Sequence, residues 1–140
     1  AVLVETPWAN IGLTICYDLR FAALYRTLAK SGAQVLTAPA AFTCFTGEAH
    51  WHTLLKARAI ETGCFLIASA QTGDHPGSNR KTYGHSLIVN PWGEVILDGG
   101  ELPGLFFADL DLNEVKRARD RIPSLNNDPK FKLKHQKSHE

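Results

Sequence analysis

The sequence has 140 residues, 44% hydrophobic and 21% charged, the balance of a folded globular unit about one domain in size and not of a disordered chain. A formal net charge of +1 gives no electrostatic case for nucleic-acid or acidic-membrane binding, and no apolar run approaches the roughly 18 residues that cross a bilayer. Cys16, Cys44 and Cys64 form no close pair, which argues against a disulfide framework and for a reducing, cytoplasmic setting.

In chain order, Val2 to Glu5 reads as a short strand, Thr6 to Asn10 as a turn, and Ile11 to Cys16 as a strand with small or apolar residues on both faces, hence buried. Asp18 suits an N-cap. Phe21, Leu24, Tyr25, Leu28 and Ala29 then form one helical stripe, closed by Lys30 and Gly32. Gln34 to Ala38 reads as a second buried strand and Pro39 to Gly47 as an apolar loop. A helix is expected from about Glu48 to Thr62, with Thr46 as cap and Gly63 as stop. Cys64 to Ala70 is a third strand, Gln71 to Lys81 a polar loop, and Thr82 to Asn90 a fourth strand. Pro91-Trp92-Gly93 turns into Glu94 to Leu97. Gly104 to Leu110 reads as a last strand, Asn113 caps a short helix to about Arg121, and the chain from Pro123 onward is extended and basic. The alternation of strands and helices, followed by hairpins, is an α/β pattern. Ala1 to Pro7 lacks the basic leader of a signal peptide. Methionine is absent, even at position 1. The expectation is that residue 1 is not a natural beginning, with a trimmed or recoded start as the alternative.

Cys16 stands where a buried strand meets a helix. A thiol there gains thiolate character from the helix N-terminus, and a sharp turn leaves the backbone N–H of Tyr17 free to point at an oxyanion. The competing reading is a buried, inert cysteine at a strand end. Arg20, on the first helical turn, either clamps a substrate carboxylate or pairs with Asp18 or Glu61. Thr43 and Thr46 orient substrate if the sheet brings their loop beside Cys16. Arg58 and Glu61 have helix-pair spacing, as a surface pair or a buried framework. His50 and His52, two apart on a helix, point away from each other, and with Cys44 and Cys64 they make no zinc pattern; they read as structural. Lys130, Lys132, Lys134, His135, Lys137 and His139 form a solvated end or reach a neighbouring subunit.

The stretch Ile15-Cys16-Tyr17-Asp18-Leu19-Arg20-Phe21, with Leu24-Tyr25-Arg26, resembles the nucleophile motif of the nitrilase superfamily of carbon–nitrogen hydrolases. Further segments match in order: Pro39 to Thr43, Thr46 to His52, Leu54 to Glu61, Tyr83 to Val89, Pro91 to Val95, and Arg121 to Leu125. The likeness is strongest to the branch of small-acid amidases that includes those acting on deaminated glutathione or ω-amides. Ala22 departs from the family's usual proline, and Cys44 and Phe45 fill a loop where smaller or different residues are common. The resemblance implies a nitrilase-type α-β-β-α sandwich, of which residues 1–125 are the C-terminal half and 126–140 a basic tail. It also implies a homodimer or higher homo-oligomer, and a small-molecule amide as substrate, with no cofactor, metal, nucleic acid or membrane involved. Its chemistry is a Glu–Lys–Cys triad: the glutamate is general base, the lysine stabilises the oxyanion, and Cys16 forms a thioimidate or thioester, with loss of ammonia and then hydrolysis. Before Cys16 this sequence has one acid, Glu5, at a different place, and no lysine. The chain alone is therefore expected to be nearly inactive and, as half a sandwich, poorly soluble or marginally stable. The alternative is a truncated, inactive module used in assembly or binding.

Overall fold

The computed structural model describes residues 1–127 and 129–136. Lys137 and His139 of the expected basic tail lie outside the described residues. Among the described residues, eight strands and three α-helices follow in the order β1 (Val2–Glu5), β2 (Asn10–Leu13), α1 (Ala22–Lys30), β3 (Val35–Thr37), α2 (Cys44–Thr62), β4 (Phe65–Ala68), β5 (Thr72–Asp74), β6 (Lys81–Tyr83), β7 (Leu87–Val89), β8 (Val95–Asp98) and α3 (Asn113–Arg121). Cys16–Arg20 and Ser124–Asn126 are 3₁₀ turns.

Six strands form one sheet in the order β1-β2-β3-β4-β7-β8, and β5 pairs with β6 in a separate ribbon. Strands β2, β3 and β4 run parallel, as helical crossovers require; β1, β7 and β8 pair antiparallel at the flanks. The expected apolar stripe of α1 buries Tyr25, Leu28 and Ala29. With Trp51, Leu55 and Ala59 of α2 they pack on Leu36, Leu66, Leu87 and Val89. The opposite face is covered in part, by Val115 of α3 against Val35 and Phe65.

Several expected boundaries move, each for a local reason. Helix α2 starts four residues early. Thr43, not Thr46, is its cap: the Thr46 N–H donates to Thr43 Oγ1 at 3.4 Å. Gly47, expected in a loop, is helical, its N–H donating to Thr43 O at 2.7 Å, and the Tyr83 ring lies where a Cβ would be, 2.4 Å away. The strand foreseen over Thr82 to Asn90 is cut in two. Gly84 and His85 both take left-handed backbone, at φ 76° and 59°, which ends a ladder. The polar loop from Gln71 to Lys81 contributes strand β5 and the first residue of β6. No strand forms over residues 104–110, because among the described residues nothing pairs with that backbone. Asp111 rather than Asn113 caps α3, its Oδ1 accepting the Asn113 N–H at 3.0 Å. The Pro91-Trp92-Gly93 turn forms as expected, with Asn90 Oδ1 accepting from the Trp92 and Glu94 N–H groups. Near the expected tail boundary, Arg26 donates to the carbonyls of Ser124, Leu125 and Asn127 and ties that segment to α1. Residues 129–136 carry no regular structure. Among the described residues no helix is long and apolar enough to cross a membrane.

Candidate active site

Parallel strands direct their carboxyl ends to one edge of a sheet, where ligands bind in open α/β folds. The segments that follow the three parallel strands meet at this edge. Ile15 and Cys16 come after β2, Pro39 to Ala41 after β3, and Ser69 to Gln71 after β4; together they line a cavity of about 920 Å³. Thr72, Asp74, His75, Ser86, Gly100 and Phe106 are among the residues that complete its wall.

Strand β2 stops at Leu13, short of the expected Cys16, yet the chain stays bonded to β3. The Thr14 N–H donates to Thr37 O at 3.1 Å and the Cys16 N–H to Pro39 O at 2.8 Å. Cys16 then turns sharply, at φ 46°, a left-handed conformation costing a non-glycine residue on the order of 1–2 kcal/mol. Three contacts hold that turn. The Ile15 N–H donates to Asp18 Oδ2 at 2.9 Å, so Asp18 braces the preceding residue instead of capping an α-helix. The Asp18 N–H donates to Ile15 O at 2.9 Å. Buried Arg58 donates from Nε to Leu19 O at 3.0 Å and from Nη1 to Glu61 at 2.9 Å, a framework pairing and not a surface one. Beneath the turn, the Thr14 hydroxyl donates to Thr37 O at 2.7 Å and contacts the Tyr25 hydroxyl. Burial pushes the Tyr25 phenol up to about 12.

The result is a half-buried thiol on the cavity wall. The Cys16 N–H is taken by Pro39, whereas the Tyr17 N–H has no acceptor among the described residues. The α-helix expected directly after the cysteine is a 3₁₀ turn, with α1 beginning only at Ala22. The field of a full helix N-terminus is thus not aimed at this sulfur. The other two thiols lie elsewhere: Cys44 contacts Lys81 O at 3.6 Å, and Cys64 is buried under Arg119 at 3.0 Å, its pKa raised by that burial.

Arg20, Thr43 and Thr46 do not line the cavity. The Arg20 guanidinium pairs with neither Asp18 nor Glu61: it lies over the Phe42 ring at 5.3 Å, with His50 Nδ1 at 3.4 Å. The Thr43 and Thr46 hydroxyls engage each other at 3.0 Å at the start of α2. His50 and His52 do point apart. His52 meets Asp98 at 3.1 Å and His85 meets it at 2.9 Å, a grouping hidden in the sequence by long separations. Burial works to raise the Asp98 carboxyl, but the Gly100 N–H and the two imidazoles outweigh it and hold it below its ordinary range. The polar wall contributed by Gln71, Thr72 and His75 was also missed. Its signal was available, since the loop after a parallel strand is where such residues belong.

The sheet, its helices and this turn define an α/β protein with a cysteine on the cavity wall at the carboxyl edge of its parallel strands. The family model described as carbon-nitrogen hydrolase matches residues 1–120, and the chain belongs to that family. It is 52% identical over 118 residues to a deaminated glutathione amidase of Synechocystis, covering 84% of this chain and 43% of that protein. To the human deaminated glutathione amidase it is 50% identical over 120 residues, covering 86% and 36%. The crystal structure of the Caenorhabditis elegans NitFhit protein superposes with a TM-score of 0.87 at 46% identity, over 91% of this chain and 31% of that one. The fold is therefore the nitrilase-type α/β fold, and the chain spans less than half the length of these relatives.

Proposed function

We propose that this chain is the nucleophile-bearing part of an amidase that converts a small amide into a carboxylic acid and ammonia. The observation that carries the reading is the left-handed Cys16 on the wall of the large cavity, with an unengaged N–H beside it. Its Sγ, as thiolate, attacks the amide carbon. The carbonyl oxygen takes the negative charge and accepts from the Tyr17 N–H, a kind of donor worth about 3 kcal/mol of barrier. The C–N bond breaks, the nitrogen leaves as ammonia with an added proton, and water hydrolyses the thioester to restore the thiol. The general base and the second oxyanion donor, a glutamate and a lysine by family resemblance, come from outside this chain, which alone turns over little substrate. Arg20 holds the elbow against Phe42 and His50, and Thr43 and Thr46 start α2. The amide is contacted instead by Gln71, Thr72, His75 and Ser86, which suit a substrate with further polar groups, such as the deaminated glutathione named for the relatives. Three free thiols accord with a cytoplasmic setting, and assembly as a homodimer completes the proposal.

The test is ammonia release by the full-length protein from a panel of small amides that includes deaminated glutathione. Cys16→Ser should lower kcat by roughly a thousandfold or more while leaving the circular dichroism spectrum intact; retained turnover overturns the assignment. A second reading is an inactive assembly module. Wild-type full-length protein that releases no ammonia yet assembles stably would favour it.

A further inference from the structure

On the helix-covered side of the β7–β8 hairpin, behind the cavity wall, three donors from distant parts of the chain converge. His52 comes from the middle of α2, His85 from the link between β6 and β7, and Asp98 from the end of β8. His52 Nε2 lies 3.1 Å from Asp98 Oδ2, His85 Nδ1 lies 2.9 Å from Oδ1, and the three donor atoms all fall within 4.8 Å of one another. None of the three residues lines the Cys16 cavity, so the proposed hydrolysis leaves the cluster without a role.

The cluster is also held in place. Left-handed backbone at His85 aims its ring. That residue's N–H donates to Gly100 O, and its carbonyl accepts from Trp51 Nε1, both at 2.7 Å. The Tyr83 ring stacks on the imidazole at 4.5 Å. The Gly100 N–H donates to Asp98 Oδ1 at 2.9 Å. Such outer contacts are what orient metal-binding imidazoles and carboxylates. The three side chains are nonetheless 21% to 36% exposed, open enough for a hydrated ion to enter.

We propose that His52 Nε2, His85 Nδ1 and one Asp98 oxygen form a site for a single zinc-type divalent ion, with water as the fourth ligand. Two imidazoles and a carboxylate match zinc, cobalt and nickel, whereas calcium and magnesium take oxygen ligands. Bonds of about 2.0–2.1 Å in a tetrahedron place donors roughly 3.3 Å apart, close to the two separations already present. An imidazole nitrogen binds a metal only through its lone pair, so any proton on the nitrogens facing Asp98 leaves through solvent on loading. The bound ion joins α2 to both ends of the β7–β8 hairpin and stiffens the segment leading to Gly100, which belongs to the cavity wall. This inference stands apart from the reading of Cys16.

The experiment is a titration of chelator-stripped full-length protein with cobalt(II), followed by visible absorption. One equivalent should bind with the intense bands of a tetrahedral site and no thiolate charge-transfer band. Zinc(II) should displace it and magnesium(II) should not. Asp98→Asn and His52→Ala should each weaken binding at least tenfold. Should either variant fail to fold, His52→Gln replaces it, and the zinc-dependent rise in melting temperature of the wild type should vanish in it. Absence of cobalt uptake, a thiolate band, or uptake unchanged by these substitutions overturns the proposal and leaves the cluster a hydrogen-bonded strut.

Discussion

The two faces of the six-stranded sheet differ in how far this chain finishes them. On one, α1 and α2 seal Leu36, Leu66, Leu87 and Val89 beneath Tyr25, Trp51 and Leu55. On the other, Val115 covers Val35 and Phe65, while Leu13 and Ile15 stay 43% and 65% exposed and the Cys16 cavity opens. The difference separates two kinds of work. Stability is concentrated under the helices, and the proposed chemistry sits on the face with least burial, so mutations on the two faces should have different consequences.

The strongest attack on that contrast is Trp51→Ala. It empties the centre of the sealed face and removes the bond to His85 O, and should cost about 3–5 kcal/mol in urea denaturation. Loss of less than about 1 kcal/mol would mean that the helical face is not the stabilising one. A smaller effect, of about 2–3 kcal/mol for two pKa units, is expected from alkali. The folded Tyr25 phenol titrates near 12 and the unfolded one near 10. Between these values the unfolded chain has lost its proton and the folded chain keeps it, so stability is full below about pH 10 and declines as pH rises toward 12. Tyr25→Phe should flatten this part of the stability–pH curve; an unchanged curve would place the titrating group elsewhere. The smallest effect belongs to the open face. Leu13→Thr should change stability by less than about 0.5 kcal/mol while reducing light scattering at high concentration, because it interrupts exposed apolar surface. A large loss of stability would show that this face is already packed.

What the sequence disclosed follows from where local rules decide the structure. The stripe Phe21, Leu24, Tyr25, Leu28 and Ala29 and the apolar runs at Gln34–Ala38 and Cys64–Ala70 located α1, β3 and β4, because buried strands and amphipathic helices are set by patterning, although Phe21 itself stays exposed just ahead of α1. The Pro91-Trp92-Gly93 turn was equally legible. Errors arose where distant contacts decide. Gly47 reads as a loop until the Tyr83 ring is seen resting on it. Residues 104–110 read as a strand, but among the described residues no backbone pairs with them, and pairing is a long-range condition that the local sequence does not carry. Cys16 was expected as the last residue of its strand, which ends at Leu13, and its left-handed backbone was not foreseen, since nothing in a Cys-Tyr-Asp tripeptide announces a positive φ. Thr43 and Thr46 were expected in a loop, but Thr43 caps α2 and Thr46 lies in its first turn, with their hydroxyls engaging each other. The His52–Asp98–His85 grouping rests on residues 46 and 13 positions apart, a separation that no local motif spans.

The backbone at residue 16 has a consequence for how this sequence evolves and is engineered. Folding alone would favour glycine there, since only glycine takes that conformation without penalty. A library selected for thermal robustness should therefore drift away from cysteine at this site. One selected for turnover should keep the sulfur and recover the lost stability elsewhere, most cheaply beneath the helices.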